Sequence, residues 1–596
     1  MYDEHDGDDG DEADGGPDTE AVDVVIIGYG PVGQATAALL GSKGHRVAVF
    51  ERWPSLYGLA RAGHVDHEIM RIFQSLGAAE AVERDAHLAD QYVFRNGSGE
   101  TLMAFDYGAK GVSGWRSDYI VYQPRVEDAL HTAVRACPTV TVHQGWEAID
   151  VRQNAEGIEV DVREVEYDDH DERTGAGRPR TVRARYLVAA DGANSAVRSA
   201  LDIAWHDLGF RSTWLVVDLV PTGPMSFDFD NGQVCDPARP HCLFQLGKDH
   251  RRFEFAALPG EDPARLTEEK TAWELMARYD VTPANARIER QAVYTFGSCV
   301  AERWHSGRVF LVGDAAHLMP PFMGQGMCTG IRDAMNLTWR LDAVLTGRQD
   351  EELLTGYETE RSPHAETLVR MSIAAGQVSC TFDPDIAAAR DEAFRTGTAP
   401  PVDPFPALTT GLLAGRSDRL SGRLAPQGRI RLGERTGLFD DVAGRGWVLL
   451  STRPVPGPAD APVRGHLDRI GLRTVVIDAT ADVDGFYAAY FKAEDVTAIL
   501  YRPDFYVFGS ARHADDVPAL LERLAAMLPQ RSGDASGPDG AMVPRRLGDA
   551  TGRDGAMLPQ RPADASGRDG AIGPQRPAEA TGPDAPAQAY STQGEQ

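Results

Sequence analysis

The stretch from Val22 to Glu51 restricts this chain more than any other. Val22 to Ile27 is an unbroken apolar run, the pattern of a parallel strand buried on both faces. Gly28-Tyr-Gly30-Pro-Val-Gly33 follows, then Ala35, Ala38, Leu39 and Leu40 at helical spacing. Arg46 to Phe50 reads as a second strand, closed by Glu51. A G-x-G-x-x-G run between strand and helix, with an acid about twenty residues on, is the fingerprint of a dinucleotide-binding unit. Gly28 permits the tight turn, Gly30 lets backbone N–H groups approach a pyrophosphate, and Gly33 allows helix and strand to pack closely. The helix N-terminus favours the anion, and Glu51 can accept from ribose hydroxyls. The pattern does not separate one dinucleotide from another.

Two further blocks lie far along the chain. Tyr186 to Ala190 reads as a strand and runs into Asp191-Gly192-Ala-Asn-Ser195-Ala-Val197-Arg198. Arg308 to Val312 is another buried strand, followed by Gly313-Asp314-Ala315-Ala316-His317 and then Pro320-Pro321-x-x-Gly324-Gln325-Gly326. A long amphipathic helix follows through Ile331, Ala334, Leu337, Leu341 and Leu345. Between these blocks Trp214–Val220, His241–Leu246 and Arg252–Ala256 suggest an antiparallel sheet, with Trp214, Phe244, Phe253 and Phe255 as candidate pocket walls.

In this order and spacing the three blocks resemble the p-hydroxybenzoate hydroxylase class of flavoprotein monooxygenases, from about Val22 to Cys380. Within it, Cys235-Asp-Pro-Ala-Arg239-Pro240, Arg251–Phe255 and Leu258–Glu261 look like the 3-(3-hydroxyphenyl)propionate and 3-hydroxycinnamate hydroxylase branch. The resemblance implies an α/β fold: a Rossmann-like FAD-binding domain, residues 22–200 and 306–380, with an inserted antiparallel-sheet substrate domain at 201–305. It implies FAD as cofactor, NADH or NADPH as co-substrate, and one oxygen atom from dioxygen inserted into a phenol through a flavin C4a-hydroperoxide. Gly28, Gly30, Pro31, Val32, Gly33, Glu51 and Arg52 would hold the ADP half, and Arg61 the pyrophosphate. Gln123 matches a position on the ribityl or phosphate side, and Asp191 the Asp-Gly motif that links pyrophosphate to NAD(P)H binding. Gly313 and Asp314 would meet the ribityl chain, and Pro320, Gly324, Gly326 and Met327 the isoalloxazine. The family places an Asn where this chain has Cys328, read here as a packed thiol. His317 reads as a loop cap. No catalytic base stands out: His64 and Asp66 are weak candidates, and Asp236 with Arg239 could meet substrate or form an internal ion pair.

The first twenty-one residues are rich in acids and read as a disordered tail that contributes to a formal charge of -29. Such a balance speaks against nucleic acid, and the absence of long apolar runs against a membrane or a secretory signal, so a cytoplasmic enzyme is expected. The six cysteines show neither a C-x-x-C pair nor zinc spacing, so no metal is expected. Residues 381–427, with Pro400, Pro401, Pro404 and Pro406, read as a linker that partly wraps the surface. Residues 428–528 read as strand (446–451), strand (474–478), helix (486–491), hairpin (497–501, 505–509) and helix (517–527). This order resembles a thioredoxin-like domain, here without cysteines and with Val496 at the cis-proline position, so it serves stability or a homodimer rather than redox chemistry. Near-copies fifteen residues apart, opening at Met527, Met542, Met557 and Ile572, make 529–596 a disordered repeat tail.

Two rivals stand beside phenol hydroxylation. One is a tailoring oxygenase (hydroxylation, epoxidation or Baeyer–Villiger) on a polyketide or other natural-product aromatic; the Trp-x-Trp-x-Ile-Pro signature of halogenases is absent. The other is a scaffold protein, which would purify without flavin colour.

Overall fold

The computed structural model describes residues 21–167, 173–529 and 543–546, so the acidic tail and most of the repeat tail lie outside the described residues. Strand β1 (Ala21–Ile27) turns at Gly28 into helix α1 (Pro31–Gly41), and the chain returns as β2 (Val47–Glu51). Val24, Val25 and Ile26 are fully buried, as the centre of a parallel sheet requires. β1 pairs in parallel with β2 on one side and with β3 (Arg180–Ala189) on the other. The parallel ladder continues to Val140–Gln144 beyond β2 and to Val309–Leu311 beyond β3. The three sequence blocks therefore end on neighbouring strands, which brings Gly28, Asp191 and Gly313 to one edge of the sheet. One short piece of the repeat region, Val543–Arg546, adds antiparallel to Trp146–Gln153, so the disorder expected from composition does not hold for those four residues. An edge strand offers backbone partners to any extended segment.

The inserted sheet contains β4 (Trp205–Pro221), β5 (Gly232–Cys235), β6 (His241–Leu246), β7 (His250–Ala256) and β8 (Ala286–Ala301), in the order β8-β4-β7-β6-β5. Two strands from the first half of the chain, Gln91–Asn96 and Thr101–Asp106, complete it beyond β5. The range 201–305 thus holds most of this sheet, not all. Side chains alternate along each strand. One face sends Leu215, Val217, Leu219, Leu243, Phe253 and Phe255 into a core shared with Leu266, Ala272 and Met276. The opposite face looks toward the parallel sheet. Phe253 and Phe255, expected as pocket walls, belong to the core face, one residue out of phase with the cavity.

Helix α2 (Gly326–Leu345) starts at that cavity and runs through the middle of the molecule; α3 (Gly356–Ser379) packs against it. The apolar stripe read from the sequence is buried from Ile331 to Leu341 and half-buried at Leu345, and the polar residues between are buried too. Arg340 and Arg502 both pair with the fully buried Glu360, at 2.6 and 2.5 Å. The segment 381–427 carries one helix the sequence reading missed, Pro384–Arg395, capped by Asp383, and buries Leu408, Leu412, Leu413 and Leu420.

The C-terminal unit has a four-stranded sheet in the order 473–476, 448–451, 498–501, 507–511, with the first pair parallel and the others antiparallel. The strands, hairpin and last helix follow one another along the chain as the sequence reading had them, and Val517–Met527 closes the unit. Helix Ala461–Arg469 escaped the sequence reading because its apolar positions are sparse.

Burial alone would push the Glu360 carboxyl up; Arg340 and Arg502 hold it down at about 2. Its contribution to stability is therefore present above the unfolded carboxylate range and lost as pH falls toward 2. Glu360→Gln leaves two buried guanidiniums short of a carboxylate and is expected to cost about 3–5 kcal/mol near neutral pH. Chemical denaturation followed by tryptophan fluorescence should show that gap, and show it narrowing below about pH 4. A gap that does not change with pH would assign the loss to packing.

Candidate active site

At the turn, a Cβ on Gly28 would sit 2.3 Å from the Ala190 carbonyl, and the backbone φ there is +99°. A Cβ on Gly33 would sit 2.1 Å from the Gly28 carbonyl. These two glycines are compelled by backbone packing. Gly30 differs: nothing lies within 4 Å of its Cβ position, because it faces an open groove. Gly30 is also the N-cap of α1, and its N-terminal amides carry no side-chain cap.

The groove is lined by Gly30, Pro31, Val32, Arg61, Gln123, Asp314, Pro320, Gly324, Gly326 and Met327, ten of the residues expected to hold a cofactor. The other expected residues stand behind it. Glu51 accepts from the backbone N–H groups of Tyr29 (2.7 Å) and Trp53 (3.0 Å), so its carboxylate fixes the turn as well as facing it. Gly313 donates its N–H to Asp333. Asp191 is half-buried, accepts from the Val197 N–H, and keeps one oxygen without a partner; loss of solvent around it pushes its carboxyl up. Arg52 is exposed beside the Trp53 ring, away from the groove. Gln123 lines the groove, but its amide oxygen accepts from the N–H groups of Arg61 and Ala62, and its amide nitrogen donates to Glu127. Its described role is to hold the Arg61 loop.

Three glycine-shaped backbone positions, an uncapped helix end and the exposed Arg61 guanidinium suit a pyrophosphate. Asp314, half-buried at the groove with its carboxyl pushed up by desolvation, suits a polyol. Pro320 to Gly326 leads onto the uncapped start of α2, an electropositive end. The residues present therefore fit a flavin dinucleotide.

Beyond that loop the same cavity, about 280 Å³, is closed by the inner face of the inserted sheet. Neighbouring strands bring side chains into rows. Arg290 (β8), Asp218 (β4) and Arg252 (β7) form one row by register. Asp218 takes two bonds from Arg252, at 2.6 and 2.9 Å. Arg252 also donates to the carbonyls of Ala60 and Arg61, and Arg290 to that of Ala60. This row clamps the Arg61 loop against the sheet. The next row, Val216, Glu254, Cys242 and Gln233, faces the cavity. Tyr92, Tyr107, Phe244, Tyr294 and Phe296 complete the wall. Trp214 shares this face but packs on Phe322 and donates to Ser212, outside the lining.

The weak candidates for a base resolve as follows. Asp66 caps helix His67–Ser75 and pairs with Arg332, which holds its carboxyl low although burial opposes this. His64 borders the cavity, but its Nε2 lies 2.8 Å from Asp118. Burial lowers its imidazole and hydrogen bonds to Asp118 and Cys328 outweigh this, so it sits well above its ordinary value, a poor proton acceptor. His317 lies 2.7 Å from Asp333, not on Asp314, in keeping with a loop cap. Asp236 faces Arg278 and Arg239 pairs with Glu261; they pair neither with each other nor with the cavity. Cys328 is fully buried with its thiol pushed up by burial, as a packed thiol should be. No group of metal-ligating side chains occurs among the described residues, and no described helix is long and apolar enough to cross a membrane.

The sequence reading missed Asp218, Arg252, Arg290 and Glu254. Arg252-Phe-Glu254-Phe carries the signal: charges alternating with aromatics in a strand place the charges together on one face, and these are almost fully buried.

Comparison with known proteins fits this geometry. Residues 21–372 match the family described as FAD binding domain, and residues 422–527 the HcaD C-terminal domain. The chain is 37% identical over 532 residues to a probable NADH-specific resorcinol 4-hydroxylase of Rhodococcus jostii (strain RHA1), covering 86% of this chain and 96% of that protein. It is 29% identical over 588 residues to a 3-(3-hydroxy-phenyl)propionate/3-hydroxycinnamic acid hydroxylase of Comamonas testosteroni, covering 85% and 97%. In fold it is similar to the flavin-dependent monooxygenase PieE, solved with FAD and substrate, with TM-score 0.67, 22% identity, and coverage of 86% of this chain and 99% of that one.

Gly30→Ala is expected to leave thermal stability unchanged while lowering the ratio of flavin to protein absorbance severalfold, since its Cβ enters only the groove. Gly33→Ala should lower both, because its Cβ meets a carbonyl. Equal flavin retention in wild type and Gly30→Ala would remove the groove from cofactor binding.

Proposed function

Since the chain belongs to the FAD binding domain family of flavoprotein aromatic hydroxylases, we propose that it uses FAD and NADH to insert one oxygen atom into a single-ring phenol. The observation that carries this reading is one continuous cavity. It joins the amide-lined turn at Gly30 to a chamber walled by the inserted sheet, with Pro320 to Gly326 between them. NADH as reductant is supported by the name of the 37% identical relative, and resorcinol and 3-hydroxyphenylpropionate are the two substrate types that the relatives' names suggest.

Bound FAD supplies the hydride acceptor and, once reduced, the means of activating dioxygen. The chain supplies position and environment. The N-terminal amides of α1 and the Arg61 guanidinium offset pyrophosphate charge, and Asp314 accepts from hydroxyls. The start of α2 favours negative charge at the ring end of the groove. The Asp218–Arg252–Arg290 row fixes the Arg61 loop so that groove and chamber keep one geometry. Phe244, Phe296 and Tyr294 exclude water from the chamber. With His64 held by Asp118, the activation of the substrate rests on its own electron-rich ring rather than on a strong protein base.

A second reading, oxygenation of a larger natural-product aromatic, is favoured by a neighbouring cavity of about 1010 Å³ that shares His64, Tyr92, Tyr107, Phe322 and Met323 with the first.

The deciding measurement is NADH and NADPH oxidation by the purified yellow protein with resorcinol, 3-(3-hydroxyphenyl)propionate or no addition, with peroxide and product mass followed together. Stimulated oxidation, a product one oxygen atom heavier and little peroxide is the expected result with one of the two phenols. Stimulation by neither phenol sinks the single-ring reading and leaves the second. A protein that retains no flavin sinks both.

A further inference from the structure

The cavity-facing row of the inserted sheet is chemically uneven. Toward the Arg61 loop the charges are matched: of the five N–H groups of Arg252, two go to Asp218 and two to the Ala60 and Arg61 carbonyls. One row further in stands Glu254, almost fully buried, flanked in register by Val216 on β4 and Cys242 on β6. Its carboxyl is served by the Cys242 thiol at 3.5 Å; Arg252 Nη1 stands 3.6 Å away, too far for a good hydrogen bond. Gln233 lies opposite Cys242 in register and donates to the Tyr92 hydroxyl at 3.1 Å; its own oxygen accepts from Ser379. Glu254, Cys242, Gln233 and Tyr92 are thus a continuous strip of polar groups along one wall of the chamber.

Resting on the reading that this chamber receives a phenol, we propose that Glu254, with Cys242, Gln233 and Tyr92 beside it, binds a second hydroxyl of the substrate. It thereby selects uncharged polyhydroxylated arenes, a dihydroxybenzene being the smallest, over phenols that carry a carboxylate.

The argument is one of matching. A hydroxyl both donates and accepts, so it completes a carboxyl group that has a single long thiol contact whichever side of its titration the carboxyl is on. A carboxylate would bring a second negative charge against a buried acid. Burial already pushes the Glu254 carboxyl, the Cys242 thiol and the Tyr92 phenol up, so this wall resists negative charge. The cations that could offset it are committed elsewhere. Arg252 is used by Asp218 and two carbonyls, and His64 pairs with Asp118. Arg290 keeps one nitrogen without a hydrogen-bond partner and its charge reaches Glu254, but it pairs with Asp218 in the row beside the Arg61 loop, and burial still holds the Glu254 carboxyl up. A site built to bond a hydroxyl also rejects an analogue that lacks it more strongly than apolar fit alone can.

The test uses the FAD-loaded enzyme without NADH and titration calorimetry with a matched pair, resorcinol and 3-hydroxybenzoate, which differ by a hydroxyl exchanged for a carboxylate. Wild type is expected to bind resorcinol at least roughly tenfold tighter. Glu254→Gln, whose amide can donate to a carboxylate, should narrow that ratio by roughly tenfold with flavin content and melting temperature unchanged. Equal affinities in wild type, or a ratio unmoved by Glu254→Gln, overturn the inference, and the wild-type comparison stands even if the variant folds poorly. Tighter binding of 3-hydroxybenzoate would place the carboxylate on Arg290 and overturn it as well. Equal binding with stimulated NADH oxidation sinks this inference alone. No binding and no stimulation by either ligand sinks the single-ring reading with it.

Discussion

The rest of the structure hangs on the buried polar side of helix α2. Arg332, Asp333, Asn336, Arg340 and Asp342 are almost wholly removed from water, and a buried charge without a partner costs several kcal/mol. Each therefore commits to partners elsewhere in the molecule. Arg332 binds Asp66 and Glu68, and Asp333 accepts from the Gly313 N–H, from Arg361 and through His317. Asn336 donates to Glu360 and Asp504, Arg340 pairs with Glu360, and Asp342 meets His45 and Arg348. Such pairs add little net stability over apolar packing, but they penalise any arrangement that separates the partners. The helix thereby sets where the segments at 64–68 and 313–317 stand, and both border the cavity through His64 and Asp314.

The same constraint explains why a unit without cysteines persists at the C-terminal end. Arg502 and Asp504 of that unit enter the cluster around Glu360, and Asp440 accepts from Nε and Nη2 of the fully buried Arg71 at 2.7 and 2.8 Å. Removing the unit would leave Arg71, Asn336 and Glu360 partly unpaired inside the flavin-binding half. A thioredoxin-like topology here serves as the counter-charge for another domain's core, a role that needs no thiol.

How much of this was legible in the chain varies with the kind of signal. The tight turn at Gly28 and the close packing at Gly33 were readable because their constraint is local to one strand, turn and helix. The thioredoxin-like strands and the last helix were readable from apolar runs and hairpin spacing. Gln123 was placed near the groove but not on its task, since holding the Arg61 loop depends on a contact across more than sixty residues of chain. The phase of the inserted strands was misjudged at Phe253 and Phe255: aromatics suggest a ligand wall, yet in a sheet covered on one face by helices they go to the larger apolar core. Periodicity says that alternate residues share a face and leaves open which face meets which neighbour.

That phase has a chemical consequence. Because each strand contributes one residue to each row, the chamber wall is a small grid: a loop-clamping row of Arg290, Asp218 and Arg252, then the row of Val216, Glu254, Cys242 and Gln233. The back face of the same strands carries the sheet's core, so exchanges in the second row alter what the chamber accepts without reaching packing positions such as Val217 or Phe253. The first row lacks that freedom, since it holds the carbonyls of Ala60 and Arg61 and with them the cofactor groove. Cofactor handling and substrate choice are thus written on adjacent rows of one sheet, one constrained by backbone contacts and the other by the ligand alone.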